Sequence, residues 1–501
     1  MVTSKKFVLH YNTGNELKGQ GKLEGAILAY KKAITINPNF APAYYNMANA
    51  QQEIGDLTSS ITNYQKMLKI MPNHAGAFHN MGIALYNMGD LDKAIESYHY
   101  AIEINPDHAE QYYNMGLALH DTGKFVAAID NYEQALKLKP NYPEAYNNMG
   151  NSLQGLGDIN SAGKAYSHAI SLKPNYVEAK TNNSYVMLKK GDFKGGFDLM
   201  ECRIQKETRY CPPITNASQY RGEAILNRHF LILTEQGVGD EIMFASMLND
   251  LDEQGAQITL VCDPRLVSLF NRSFEFLTAI AKRPDNNYQN LEPAIDYWLL
   301  IGSLAKFYRA DVNDFKKSTP YLHVDETLLN KWKNRYDSLD HPFNVGVSWS
   351  GGSKQKHKKL RSLSLEKLAP VLAIANKSAN IINLQYGDHQ DEIGNFTKKN
   401  NIVIHDWEDA DPLINLDDFS SQVKALDLVI SIDNTTVHFS GALGVRTLVM
   451  LPFNSDWRWR QERQDSYWYP EIMHLVRQQS NDQWDSVIEN TSDALKQYFK
   501  Y

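Results

Sequence analysis

The hydrophobic positions in the first two-fifths of the chain cluster at helical spacing and recur every 34 residues. Proline keeps that step at Pro38, Pro72, Pro106, Pro140 and Pro174, and glycine at Gly21, Gly55, Gly89, Gly123, Gly157 and Gly191. So do Tyr30, Tyr64, Tyr98, Tyr132 and Tyr166, and the small residues Ala26, Ser60, Ala94, Ala128 and Ala162. Each period predicts two helices, as in "AYYNMANAQQEI", a turn at Gly55-Asp56, and "TSSITNYQKMLKI". Glycine supplies the left-handed residue that closes the first helix. Proline, lacking an amide hydrogen, stops the second. Small residues let the helices approach, and tyrosine fills the space beside them. Five full units cover residues 7–176, and a degraded sixth runs to 205. One unit cannot bury its apolar face alone, so the units are expected to stack into an all-α superhelix with a concave groove.

One polar column shares the step: Asn12, Asn46, Asn80, Asn114, Asn148 and Asn182, all on first helices. Asparagine carries a donor and an acceptor, the match for a peptide group. Two roles follow from this. The column holds an extended polypeptide in the groove, or it only bonds the neighbouring helix. The first is favoured because asparagine is a mediocre helix former and packing gives no reason for it six times.

The pattern changes near residue 228. "HFLILTE", "AQITLVC" and "AIDYWLLIG" read as strands alternating with helices. It restarts near 341 with "FNVGVSWS", "NIINLQYG", "NIVIHD", "LDLVIS" and, last, "RTLVMLPF". Alternation of this kind predicts parallel sheets covered by helices on both faces. The expected division is a repeat array over 1–205, a connector over 206–227, an α/β half over 228–340, a second over 341–478, and a terminal helix over 479–501 packing back on the body.

Composition narrows the chemistry. A net charge of −7 argues against nucleic acid as the partner. The three cysteines form no CxxC pair, so neither a disulfide framework nor zinc is expected. No leader-like or membrane-length apolar run occurs, which makes cytoplasm the expected location.

In parallel α/β units ligands collect at the carboxyl ends of strands. Four polar loops fall there. "QGVGDE" offers Gly237 and Gly239 for close backbone approach, and Asp240 as a proton acceptor or a plain helix cap. In "SWSGGSKQKHKKLRS", Ser350, Gly351 and Gly352 can present amides to phosphate, with Arg361 or one of the lysines balancing the charge, Arg361 being favoured. In "LQYGDH", Gln385 and Tyr386 suit a nucleobase, or form a simple turn. The densest is "DNTTVHFSGALG": Asp433 toward ribose hydroxyls, then Asn434, Thr435 and Thr436 at a helix N-terminus that favours an anion, and His438 one turn on. A cap accounts for one of these polar residues, not four. The acidic Asp409-Ala410-Asp411 imitates a metal-binding DxD, but has no further ligand near it in sequence, and no metal is expected.

The repeats resemble tetratricopeptide repeats, and their asparagine column is similar to that of protein O-GlcNAc transferases. "EQGVGDEIMFA", "VSWSGG", "RSLSLEKLAPVL", "NLQYG" and "ALDLVISIDNTTVHFSGALGVRTLVMLPFNSDWRW" resemble, in this order, the heptosyltransferase-like glycosyltransferases, especially bacterial forms fused to such repeats. The resemblance implies a GT-B fold of two Rossmann-like halves. It implies inverting sugar transfer without a metal, from a nucleotide-sugar held mainly by the second half. Asp240 then matches the acid that serves as base or sugar contact, Arg361 a phosphate contact, and Asp433 and His438 the nucleotide motif. The family has threonine directly after that aspartate, whereas this chain has Asn434, so a hydroxyl there would come from Thr435 or Thr436. The function expected is transfer from a nucleotide-sugar, a UDP-sugar favoured, to Ser, Thr or Asn of a polypeptide in the groove. Alternatives are a glycan or lipid-linked acceptor, with the repeats binding a partner protein, and an inactive scaffold, for which Asn434 is the support. Self-association through the repeats is a further expectation.

Overall fold

The computed structural model describes residues 2–205, 213–315, 320–351, 361–460, 462–481 and 483–499. The basic run before Arg361, Gly352 and Cys211 fall outside them. The chain forms two compact units, 1–183 and 184–501.

The first unit is built of helix pairs: α1 Val2–Gly19 with α2 Leu23–Ile36, α3 Ala41–Glu53 with α4 Leu57–Ile70, and α5 Ala75–Met88 with α6 Leu91–Ile104. The series continues as α7 Ala109–Asp121 with α8 Phe125–Leu138, and α9 Pro143–Gly155 with α10 Ile159–Leu172. Each turn glycine is left-handed, with φ between 72° and 89°. A β-carbon on Gly14, Gly82, Gly116 or Gly150 would stand 2.5–2.6 Å from the ring of Tyr30, Tyr98, Tyr132 or Tyr166. Helix spacing in these four units is therefore set by a glycine-to-tyrosine contact, the second unit having Ala48 in the glycine's place. First helices of successive units also touch one another, which makes theirs the inner side of the superhelix.

The sixth pair, α11 Val177–Lys190 and α12 Phe193–Met200, does not close the array. The division between units falls inside α11, not at 205. The reason is packing: Leu188, Phe193, Phe197 and Met200 join the core of the second unit.

That unit contains two parallel sheets. In the first, β1 Ser218–Gln219, β2 His229–Leu233, β3 Gln257–Cys262, β4 Leu277–Ala281 and β5 Tyr297–Leu300 lie in the order β1-β5-β2-β3-β4. In the second, β6 Asn344–Ser348, β7 Asn380–Asn383, β8 Ile404–His405, β9 Leu428–Ile432, β10 Thr447–Leu451 and β11 Met473–Arg477 lie in the order β11-β10-β9-β6-β7-β8. Three strands escaped the sequence pattern. β1 is a two-residue edge strand inside the expected connector, β4 follows a short helix, and β11 comes after the strand read as last. None is flanked by a clear change of hydrophobic period.

The covering helices are α13 Val238–Ala245, α14 Leu248–Asp252, α15 Val267–Ser273, α16 Leu304–Tyr308 and α17 Glu326–Asp337 beside the first sheet and the link to the second. α18 Leu365–Ala375, α19 Gln390–Asn400, α20 Leu416–Lys424, α21 Thr435–Leu443 and α22 Trp484–Phe499 follow. α22 packs on α18, β10 and β11 of the second half. Strand order reverses between β2 and β5 and between β6 and β9. Loops leave the sheet in opposite directions at such points, which opens a crevice at the strand ends.

Candidate functional site

Two short helices bring the halves of the second unit together. α13 follows β2, α21 follows β9, and the two pack against each other. The approach depends on Gly239, whose β-carbon would stand 2.7 Å from His438 Cδ2. Neither Gly237 nor Gly239 has positive φ; the left-handed residue of that loop is Gln236, at φ 65°. Gly237 N–H donates to Asp240 Oδ2 at 3.2 Å, so it closes the capping turn. The value of Gly239 is therefore space for His438, not an unusual turn.

His438 Nδ1 lies 3.1 Å from the Tyr469 hydroxyl, and its ring stacks on Trp459 with centroids 5.8 Å apart. Burial pushes its pKa down to about 3, with the Arg458 charge acting in the same direction, so the imidazole is neutral at physiological pH. Trp459 Nε1 donates to Asp433 Oδ1 at 2.7 Å. Asp433 Oδ2 is buried and accepts no hydrogen bond. Arg361 stands 3.7 Å from it and 3.8 Å from Asp456, distances at which charges attract but no hydrogen bond forms. Arg458 completes the cluster, bonded to Asp456 at 2.5 Å, to Gln236 at 3.1 Å and to Asp240. Desolvation raises the pKa of Asp433 and of Asp240, opposed by Arg361 and Arg458 respectively. Asp456 goes the other way: its burial is outweighed by Arg458 and Arg361, which hold it below the usual carboxylate range.

Several residues expected to face a ligand instead hold the loops. Asn434 caps α21, accepting from Thr436 N–H at 3.0 Å and Ser431 Oγ at 3.1 Å. Its amide donates to Ser348 Oγ at 2.7 Å and to the Ser350 carbonyl at 3.4 Å. Both ends of the amide are therefore spent on the protein. Gln385 Oε1 accepts from Trp349 N–H, Ser350 N–H and Ser348 Oγ at 3.0, 2.7 and 3.1 Å. Gly351 N–H donates to Ser362 Oγ at 3.1 Å. The amides of Ser350 and Gly351 are thus not open to phosphate as expected. Gln385 and Asn434 together tie the ends of β6, β7 and β9, placing Asp433.

Beside this polar cluster lies a cavity of about 220 Å³. Tyr386, Thr435 and Thr436 line it, with Val238, Arg265, Pro412, Leu413, Leu416 and Phe419. Its floor is apolar, and Thr435 and Thr436 put the start of α21 at its edge. It has room for a single ring system, not for a whole nucleotide-sugar.

Asp409 of the DxD look-alike is paired with Arg335 at 3.0 Å and Lys331 at 3.1 Å, and Arg335 holds its pKa down at about 2. It braces α17 against the β8–α20 loop. Among the described residues no group of three or more His, Cys, Asp or Glu is placed to hold a metal ion. Asp456, Arg458 and Trp459 are not among the residues expected from the sequence. They sit in "NSDWRW" after β10, and alternating charge and tryptophan directly after a buried strand was the available signal.

In the repeats, the asparagine column has a packing role that its spacing alone did not show. Asn46 Nδ2 donates to Tyr11 Oη at 3.0 Å and Asn15 Oδ1 at 2.9 Å. Asn80 does the same with Tyr45 and Asn49 at 3.1 and 3.0 Å, and Asn182 with Asn147 and Asn151 at 3.0 and 3.1 Å. Asn148 donates to Tyr113 at 2.9 Å. The premise that packing gives no reason for the column is corrected: the amides stitch each first helix to the one before. The stitch fails at Asn114, because the preceding unit offers His79 and Ile83 at the positions that supply Tyr11 and Asn15 to Asn46. Asn12, in the first unit, is exposed. Among the described residues, the amides of Asn46, Asn80 and Asn182 donate to the neighbouring helix and no hydrogen bond to their oxygens is found, which leaves those oxygens as acceptors.

The architecture is a tetratricopeptide superhelix followed by a parallel-sheet α/β unit. The family description TPR repeat matches residues 14–55, 84–123 and 118–157, and Tetratricopeptide repeat matches 41–74 and 143–176. A curated relative, Protein FlbA of Caulobacter vibrioides, is 28% identical over 311 residues, covering 58% of this chain and 51% of that protein. The chain thus spans about half the length of that relative. Among solved structures, MamA is 26% identical and matches over 34% of this chain and 94% of its own, with a TM-score of 0.34. YrrB, described as a TPR protein with an unusual peptide-binding site, is 22% identical, over 34% and 88%, with a TM-score of 0.33. PilF of Pseudomonas aeruginosa is 18% identical, over 42% and 94%, with a TM-score of 0.36. Among the described residues, no helix is long and apolar enough to cross a membrane.

Proposed function

We propose that the second unit is a GT-B, inverting, metal-independent glycosyltransferase, and that the repeats hold its polypeptide acceptor. The observation that carries the cleft reading is Asp433. A carboxylate 8% exposed, with one oxygen lacking any partner and Arg361 close but not bonded, suits a ligand bearing hydroxyl donors and an anionic group. Nucleotide-sugars have both. The polar cluster would take ribose and phosphate, and the neighbouring cavity a single ring. In the reaction, a Ser or Thr hydroxyl or an Asn amide attacks the anomeric carbon as its bond to phosphate breaks. The nucleoside phosphate leaves, and Asp240 receives the acceptor's proton.

Tetratricopeptide arrays typically bind peptides, and stacked repeats present an extended concave surface. The open asparagine oxygens suit backbone N–H groups of an extended chain. The scaffold alternative rested on Asn434. That residue's cap and its bonds to Ser348 and Ser350 organise the site rather than leave a gap in it. A thermal-shift screen with UDP, ADP, GDP and CMP and their sugars tests the cleft, since a bound ligand raises apparent stability. At least one should raise the melting temperature, and Asp433→Ala should abolish that rise. No shift with any of them would sink the cleft reading.

A further inference from the structure

The residue best placed to take the acceptor's proton is locked in an ion pair. Asp240 Oδ1 is bonded by Arg458 Nη2, and its Oδ2 accepts from Gly237 N–H at 3.2 Å. Burial raises the pKa of Asp240 and the Arg458 guanidinium opposes that rise, so the carboxylate is a weaker base with the pair in place than without it. The lock is not a surface pair: Arg458 is 10% exposed and its guanidinium lies 4.7 Å above the Trp457 ring. Two features mark it as exchangeable. First, Arg458 Nε is buried and has no partner, so the fork is incompletely used. Second, among the described residues the ion pairs to Asp240, Asp433 and Asp456 are made by two guanidiniums, Arg361 and Arg458, and Arg361 is hydrogen-bonded to neither of its partners. An incoming phosphate meets three carboxylates at close range and gains by taking over a cation. Guanidinium binds phosphate through paired, charge-assisted hydrogen bonds, and Nε is part of the edge used for such pairing.

We propose that Arg458 is a phosphate-binding residue of this cleft, and that a phosphate group draws its guanidinium from Asp240 and so frees that carboxylate to accept a proton. The proposal rests on the nucleotide-sugar reading above and adds an order to it: donor first, acceptor second. Asp240 does not need a new position for this, because Gly237 N–H still anchors its other oxygen. Asp456 keeps the base of the Arg458 side chain in place during the exchange, through its bond to Arg458 N–H at 3.2 Å.

Calorimetric titration of UDP, ADP and GDP into wild type, Asp240→Asn, Arg458→Ala and the double variant tests it. Asp240→Asn removes the competitor, so it should tighten binding of the nucleoside diphosphate about tenfold. Arg458→Ala should weaken it, and Asp240→Asn should then bring no gain in the Arg458→Ala background. If Asp240→Asn leaves affinity unchanged or lower, or tightens it equally without Arg458, the exchange is wrong while the cleft reading stands. If wild type binds none of the three, the cleft reading itself fails, and the proposal with it. Should Arg458→Ala not fold, Arg458→Lys serves: it keeps a charge without the fork, and the gain from Asp240→Asn should drop below about twofold.

Discussion

Gly239 and His438 meet where α13 crosses α21, so closely that a β-carbon on the glycine would stand 2.7 Å from the imidazole Cδ2. The His438 ring cannot yield easily. Tyr469 holds its Nδ1, and Trp459 covers its face. This contact sets how near the ends of β2 and β9 come, and hence how near Asp240 comes to Arg458.

Gly239→Ala is therefore expected to cost about 1–3 kcal/mol, the usual penalty for overpacking a tight contact. Urea unfolding measures it. Gly237→Ala, where nothing but the Asp240 carboxylate lies within 4 Å of the new carbon, is expected to cost much less.

The repeats supply an internal comparison between tyrosines. Tyr166 donates to Asn151 at 2.7 Å, whereas Tyr132, equally buried, has Leu117 at the corresponding position and no partner. Tyr166→Phe should destabilise the array by about 1 kcal/mol. Tyr132→Phe should be neutral or stabilising by a similar amount, because it removes an unsatisfied buried hydroxyl. Thermal melting of the two variants decides it, and equal losses would contradict the reading.

Asn114 separates binding from stability. It makes no side-chain bond to its neighbours, whereas Asn80 makes two. Asn114→Ala should weaken binding of an extended polypeptide without lowering the melting temperature. Asn80→Ala should lower both. Binding unchanged in both variants would remove the column from the groove's function.

His438 gives a pH dependence with a definite sign. Its pKa is near 6.5 when unfolded and about 3 when folded. The unfolded state binds the proton first, so the stability contributed is full above pH 6.5 and is lost as pH falls toward 3. Each pH unit inside that window costs up to about 1.4 kcal/mol. Asp240 and Asp433, with raised pKa values, act in the opposite sense. His438→Gln should therefore lose about 2 kcal/mol less than wild type between pH 6.5 and 5, measured by urea unfolding.

The sequence alone determined what depends on local periodicity. A 34-residue recurrence of glycine, proline and tyrosine is enough for helix pairs, because turn, stop and packing residue all lie within one unit. Apolar runs ended by polar loops were enough for most strands, and they pointed to the loops and helix starts that carry Asp240, Arg361, Asp433 and His438. The tertiary structure alone decided how polar groups divide between protein and cleft. Whether Asn434, Gln385 or the Gly351 amide is spent depends on Ser348, Ser350 and Ser362, which arrive from other strands and loops. The same holds for the asparagine column, whose partners sit one unit earlier, and for Arg458, which reaches Asp240 from 218 positions along the chain. A hydrogen bond depends on distance and direction in space, and a one-dimensional pattern gives the donors and acceptors without giving their pairing.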